Sequence, residues 1–256
     1  MSDLSNIEVR RLYGTRHLNM AGKGIEFGAY DRPLFSPDTC DVDFADYYST
    51  QELKDFAARD GAHVPTIVDV RHVIKGVEFA ETIKTKYDFV IASHVVEHIP
   101  DLVRWLQNME KILNDNGKLF LVVPDKRFTF DIARPLSTLG NVLGNYVEKR
   151  ESPRFEDVFD TIDLYRGVTS EGIWNQTENA DSSPPRFAPI PALEIAQDYY
   201  ERKDASVHSH VYTFDSFRRI IGQLRELSLV KLSEEAAYDV YRPYNEFYIV
   251  LAKSAK

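Results

Sequence analysis

The sequence predicts an α/β fold built on a mostly parallel sheet with helices on both faces. Three observations point to it. Beta-rich apolar runs alternate with stretches whose apolar residues recur at helical spacing, the runs are continuously apolar as in strands covered on both sides, and the connections are long enough for crossovers. The chain has 256 residues, 43% hydrophobic and 28% charged, which is enough apolar material to bury such a core in a single domain, residues 1–256, so the chain need not remain disordered.

The first strand passes through Ile25 and Phe27 into a turn rich in Gly, Asp and Pro that reaches Phe35. After Val42, Asp43 and Phe44, Ser49 or Thr50 can cap a helix with Glu52 in its first turn, Leu53, Phe56 and Ala57 on one buried face, and an end near Gly61. The run Thr66–Val70 reads as a strand with Asp69 near its carboxyl end. A clearer cycle follows: a strand over Phe89–Ala92, a helix carrying Leu102, Val103, Leu106, Met109, Ile112 and Leu113, a turn at Asn114–Gly117, and the apolar run that leads to Pro124. Residues 126–207 break the rhythm with Arg134, Pro135, Pro153, Trp174 and the polar stretch Thr177–Pro189, so they are expected to form an inserted cap. A helix over Pro191–Ala205, with Leu193, Ile195, Ala196, Tyr199 and Tyr200 on its apolar side, would close it. Phe217, Ile220, Ile221 and Leu224 then mark a helix, Leu229–Leu232 a beta-rich run, and Glu246–Lys253 the last strand.

Charge and cysteine content narrow the function classes. Forty acidic against 31 basic residues give a net charge of -9, which argues against a basic surface that gathers nucleic acid. The single cysteine, Cys40, excludes an intrachain disulfide and a cysteine-rich zinc cluster. No secretory leader pattern and no bilayer-length apolar stretch is present, so the expectation is a soluble, cytoplasmic protein without stable membrane insertion. Symmetric self-association is the background expectation for such a chain.

Ligands of open parallel sheets approach the carboxyl ends of the strands, so residues at those ends are the candidates. Gly28 can take a tight conformation and let backbone approach a ligand, although a strand-ending turn needs the same freedom, and no full G-x-G-x-x-G or phosphate loop follows. Glu26 and Asp43, read as ending successive strands, can accept hydrogen bonds from ribose hydroxyls, or serve as caps. The densest polar group is Ser93, His94, Glu97 and His98. A strand-end histidine suits substrate positioning or proton transfer as well as plain packing. The pattern S-H-V-V-E-H is not H-E-x-x-H and Pro100 follows it, so no metal centre is expected. At the next strand exit Asp125 can orient a hydroxyl while Lys126 or Arg127 counters an anion, and His208 and His210 alternate on one face of a later segment. Serine hydrolysis lacks a G-x-S-x-G elbow.

Taken in order, GIEFGAYDRP, CDVDF, YDFVIASHVVEHIPD and LNDNGKLFLVVPDKRFTFD resemble the class I S-adenosylmethionine-dependent methyltransferases, the type-11-like group in particular. The resemblance is strongest from Gly24 to Asp131 and weaker from Tyr212 onward. It implies a Rossmann-like class I methyltransferase fold with S-adenosylmethionine as cofactor. Glu26, Phe27, Gly28 and Ala29 would form the cofactor loop, Asp43 would contact the ribose, Asp69 would lie near the adenine, and Ser93 and His94 beside the methionine moiety or acceptor. Gly28-Ala29-Tyr30 departs from the usual denser glycine run. IASHVVEHIPD and VVPDKRFTFD look like members associated with glycan or capsule biosynthesis, which implies O-methylation of a sugar, sugar-linked or phosphate-like small polar acceptor rather than of nucleic acid. On that reading His94 and Asp125 are the catalytic candidates, with the aromatic residues Phe128, Phe130, Trp174, Tyr199 and Tyr200 available to cover the acceptor. The alternatives are a noncatalytic nucleotide- or metabolite-binding module and, more remotely, nicotinamide-dependent chemistry.

Overall fold

The structure is a computed structural model that describes residues 4–59, 66–76, 78–203 and 206–253. Helix α1 (Asn6–His17) precedes β1 (Gly24–Phe27), β2 (Val42–Asp46), α2 (Thr50–Arg59), β3 (Val70–Val73) and β4 (Tyr87–Ser93). Helix α3 (Leu102–Ile112) leads directly into β5 (Leu113–Pro124). Four helices follow, α4 (Leu139–Val147), α5 (Phe155–Asp163), α6 (Ser170–Trp174) and α7 (Pro189–Glu201), before α8 (Phe214–Glu226), β6 (Ser233–Tyr238) and β7 (Glu246–Ala252). The seven strands form one sheet in the order β3-β2-β1-β4-β5-β7-β6. Strands β1 to β5 are mutually parallel, and β7 runs antiparallel to both β5 and β6. Strand order reverses where β1 meets β4, which puts a crevice at their carboxyl ends.

The continuous apolar runs are explained by burial on both sides. Val90 and Ala92 of β4, Leu119, Leu121 and Val123 of β5, and Phe247, Ile249 and Leu251 of β7 pack with α3, α4 and α8. The alternate residues Phe89, Ile91, Phe120, Val122, Tyr248 and Val250 pack on the other face with Val9 and Tyr13 of α1 and with Leu34 and Phe35. A two-residue period within an unbroken apolar run therefore serves two cores. The insertion has a cluster of its own, in which Val158 and Ile162 of α5 meet Ala192 and Ala196 of α7 and Val207. Among the described residues no helix is long and apolar enough to cross a membrane.

Three expected elements are corrected. Residues 67–69 are not strand, and β3 begins at Val70, so Asp69 precedes a strand instead of ending one. The apolar run Leu229–Leu232 lies ahead of β6, whose own sequence SEEAAY is polar because it is the half-exposed edge of the sheet. On α7 the buried positions are Ala192 and Ala196, while Leu193 and Tyr200 are exposed. Gly61, the expected end of α2, and Asp204 and Ala205, the expected end of the cap helix, lie outside the described residues. Helix α1 is a further element that the largely polar sequence NIEVRRLYGTRH does not announce.

Two buried carboxylates tie loops and helices to this frame. Both oxygens of Glu26, on β1, accept the Leu34 amide at 3.0 and 2.9 Å and so fold the loop after β1 back under the sheet. Burial pushes the Glu26 carboxyl up to about 7 against the pull of those backbone amides. Glu246, at the start of β7, is completely buried and accepts Arg10 Nε and Nη2 of α1 at 2.8 and 2.6 Å and the Tyr248 hydroxyl at 2.9 Å. Its third partner is His94 Nε2, at 2.8 Å, just beyond β4.

Because the unfolded Glu26 releases its proton near 4.5 and the folded one near 7, the group favours folding below about pH 4.5 and loses that contribution as pH rises through 7, by about 3 kcal/mol at most. Urea denaturation of wild type and Glu26→Gln at pH 5 and pH 8 should show the wild-type advantage shrinking or reversing at the higher pH; a pH-independent difference would refute the assignment. Arg10→Met leaves the Glu246 charge buried with one cation fewer and should destabilise by about 3 kcal/mol. Chemical denaturation at pH 7 checks this, and a change under 1 kcal/mol or so would show the pair to be dispensable.

Candidate active site at the carboxyl edge of the sheet

A cleft of about 470 Å³ opens where β1, β2 and β4 end. Phe27 and Gly28 leave β1 on one wall, and Gly28 has a φ of +68° that an L side chain would strain. A Cβ there would also stand 3.0 Å from Val95 Cγ2, so glycine keeps the floor open. Asp46, the last residue of β2, lines the rim and accepts the Tyr48 amide at 3.0 Å, with burial raising its pKa. Trp105, Phe79 and Ile99 supply an apolar side, the Phe27 ring packing against Phe79 and Trp105 at 5.4 and 6.3 Å. A glycine floor, a carboxylate at the rim and an apolar wall suit a nucleoside.

A smaller cavity of about 210 Å³ adjoins it, and the two share His94 and His98. Its polar lining is Glu97, Thr129, Ser170, His208 and Asn245, and its aromatic lining is Phe128 and Phe130. His94 turns the chain out of β4 with a φ of +54°, a left-handed conformation that costs about 1–2 kcal/mol in a residue with a Cβ. Its ring lies between Glu246 at 2.8 Å and Glu97 Oε1 at 3.5 Å. Burial disfavours the imidazolium, but the two carboxylates outweigh it and raise the pKa to about 9. A carboxylate beside each nitrogen favours the charged form of the ring and suits it to positioning its neighbours. Glu246 is correspondingly held down to about 2 against its own burial. The His98 pKa is lowered by burial, and its Nδ1 lies 3.3 Å from the Val207 carbonyl. His208 Nδ1 is 2.6 Å from Asp131 Oδ2, and Asp131 also accepts Arg134 Nη1 at 3.0 Å. The His98 and His208 rings meet edge to face at 4.7 Å.

The expected site residues separate accordingly. Phe27, Gly28 and His94 line the cleft. Glu26 is committed to Leu34, and Ala29 is buried against Val42, Phe44 and Val68. Asp43 is the second residue of β2, not its end; its carboxylate accepts the Tyr87 hydroxyl at 2.8 Å and Arg71 at 3.0 Å, and faces Lys23 at 3.4 Å. Asp43 and the exposed Asp69 line a separate depression with Arg71, away from Gly28. Ser93 closes β4, and its buried hydroxyl has no partner among the described residues. Asp125 is also turned away. It is fully buried, accepts Arg127 Nε and Nη2 at 2.9 and 2.8 Å and the Phe214 amide at 3.0 Å, and so anchors α8 and cannot orient an acceptor. Arg127 is spent on Asp125 and Asp239, and Lys126 donates to the Arg134 carbonyl. His210 is buried beside the Pro100 carbonyl, which leaves its pKa lowered to about 4 by burial. Trp174 stacks on Phe128 at 4.2 Å behind the smaller cavity.

Asp46, Trp105 and Asp131 are the functional candidates that sequence reasoning missed. Asp46 had a signal: extending the strand CDVDF two residues to its true end reaches the carboxylate at the correct edge. Asp131 had none, because its partner His208 is 77 residues away.

A family model described as a methyltransferase domain matches residues 8–223. No curated protein matches the sequence. Among solved structures, one provisionally named a Zn-dependent alcohol dehydrogenase of Rhodobacter sphaeroides aligns over 100% of this chain and 92% of its own at 11% identity, with a TM-score of 0.53. The N-methyltransferase NodS of Bradyrhizobium japonicum WM9 aligns over 99% of both chains at 11% identity, with a TM-score of 0.47. Magnesium protoporphyrin IX methyltransferase of Synechocystis PCC 6803, solved with bound SAM, aligns over 97% of this chain and 78% of its own at 12% identity, with a TM-score of 0.44. These likenesses concern the fold, whereas the family model spans most of the sequence. With a Rossmann-like sheet and a nucleoside-sized cleft at its switch point, the chain belongs to the methyltransferase domain family, enzymes whose methyl donor is S-adenosylmethionine.

Proposed function

We propose that the protein methylates an oxygen of a small polar acceptor, a sugar or sugar-linked hydroxyl, held in the smaller cavity. The observation that carries this reading is the junction of the two cavities at His94 and His98, which lets a donor in the larger meet an acceptor in the smaller. Gly28 would underlie the cofactor, Asp46 would accept from its ribose hydroxyls in place of Asp43, and Trp105 and Phe79 would flank its apolar surface. When bound, S-adenosylmethionine supplies a sulfonium-activated methyl group and is left as S-adenosylhomocysteine.

The acceptor side favours a neutral, hydroxyl-rich molecule. Thr129, Ser170 and Asn245 offer hydrogen bonds, and the Phe128 and Phe130 rings offer faces for C–H surfaces of the kind a sugar presents. No lysine or arginine is among the residues lining that cavity, which disfavours a phosphate-like acceptor and leaves Lys126 and Arg127 to structure. The insertion, residues 126–207, contributes five of the eleven lining residues and is the proposed substrate-side cap.

Titration calorimetry of the purified protein with S-adenosylmethionine, S-adenosylhomocysteine and NAD should show binding of the two sulfur compounds alone. Asp46→Ala should weaken S-adenosylhomocysteine binding about tenfold or more, the effect of losing hydrogen bonds to a charged group, while Asp43→Ala changes it by no more than about twofold. The reverse order would restore Asp43 as the ribose contact. Mass spectrometry over free sugars and nucleotide sugars should find a methyl increment together with S-adenosylhomocysteine; binding without turnover on any hydroxyl acceptor, alongside turnover on amines, would replace the oxygen acceptor by nitrogen.

A further inference from the structure

The carboxylate of Glu97 is not accounted for by packing. It is 1% exposed, and neither oxygen has a hydrogen-bond partner among the described residues. The charged His94 ring offsets part of that carboxylate's burial from 3.5 Å, but both oxygens keep unused hydrogen-bonding capacity, which is costly in the interior. The groups around it are imidazoles: His94 Nδ1 at 3.5 Å, His98 Nε2 at 3.9 Å, and His208. One ligand atom from each of Glu97, His98 and His208 lies within 4.8 Å of the others. Donors about 2.1 Å from a common ion stand roughly 3–4 Å apart, so these three need to close by only about an ångström.

We propose that Glu97, His98 and His208 form a divalent metal site whose open coordination positions face the smaller cavity. Each histidine is oriented from behind, which is the arrangement that fixes a metal-binding imidazole. His98 has its Nδ1 at the Val207 carbonyl and His208 has its Nδ1 at Asp131, leaving Nε2 of each ring as the ligand atom. Arg134 completes the support, pairing with Asp131 at 3.0 Å and donating to the His208 carbonyl at 3.0 Å. Two imidazoles and one carboxylate select first-row ions such as Mn²⁺, Fe²⁺, Co²⁺ or Zn²⁺ over Mg²⁺ and Ca²⁺. S-H-V-V-E-H alone gives the expectation of no metal centre; the proposed third ligand, His208, lies 110 residues beyond His98, just past the insertion, where local spacing cannot reveal it. An ion at this position would hold the acceptor by its oxygens and lower the pKa of a coordinated hydroxyl. That role rests on the proposed methyl transfer; the metal site itself does not.

The test uses full-length protein freed of metal with EDTA and titrated with CoCl₂, followed by visible absorption and calorimetry, with S-adenosylhomocysteine binding measured on the same samples. One Co²⁺ per chain is expected, with d–d absorption bands that Zn²⁺ or Mn²⁺ abolishes by competition. His98→Gln and His208→Gln should each weaken Co²⁺ binding about 100-fold or more, Asp131→Asn about tenfold, and His17→Gln, on α1, not at all. Thermal melting in EDTA shows which variants are folded. If His208→Gln is not, His98→Gln, with its side chain 28% exposed, decides the question. Folded wild type that binds no Co²⁺, Mn²⁺ or Zn²⁺ stoichiometrically, or binding that survives His98→Gln, overturns the proposal. Co²⁺ binding without S-adenosylhomocysteine binding would sink the methyl-transfer reading and leave the metal site standing; the opposite result would do the reverse.

Discussion

The carboxylate of Glu246 joins the parts of the molecule that the site requires. It is fully enclosed at the start of β7, where an unpaired charge could not be tolerated, and its partners come from α1, from the residue after β4 and from β7 itself. The N-terminal helix, the central strand and the last strand are thus fixed relative to one another by charge pairing and not by apolar packing alone. His94 shows what the pairing maintains. Its left-handed backbone would relax in isolation, yet the ring is held by Glu246 on one side and faces Glu97 on the other. The wall common to the two cavities is therefore set by groups that do not themselves line the larger cleft.

Around that wall the sheet divides its labour. The carboxyl ends of β1 and β2 furnish a glycine floor and a carboxylate, features that serve a nucleoside and demand little of neighbouring segments. The smaller cavity is built by the turn after β4, by residues 128–130, Val168 and Ser170 of the insertion, and by His208 and Asn245 beyond it, so it depends on contacts between segments far apart in the chain. The parallel sheet builds the larger cleft, and the insertion contributes to the smaller cavity.

What the sequence revealed follows the range of the forces involved. The strands through Ile25, Phe89–Ala92 and Glu246–Ala252, and the buried faces of α3 and α8, were readable because burial on a two-sided sheet writes apolar runs and helical spacing directly into the chain. Edge elements were not: β6 is polar because one side of it meets solvent, and β3 was misplaced by three or four residues because its apolar neighbours Ile67 and Val68 are buried without being strand. That shift, and the assumption that Asp43 ended β2, moved two candidate carboxylates to the wrong edge of the sheet. Asp125 misled for a different reason. A strand-end carboxylate beside two cations has the composition of a site, but only the fold shows that Arg127 and the Phe214 amide take all of its capacity.

The bond between Asp131 and His208 has a further implication. It clasps the insertion near its base, since the two residues lie 77 positions apart in the chain but 2.6 Å apart in space, and Arg134 reinforces the clasp through the His208 carbonyl. Loop-closure entropy grows only logarithmically, at about 0.6 kcal/mol for each doubling of length. Added length in the largely exposed stretch 179–187 therefore costs little, whereas α5 and α7 are tied to their own apolar core. The part of the insertion that tolerates such change is thereby separated from the residues that line the smaller cavity.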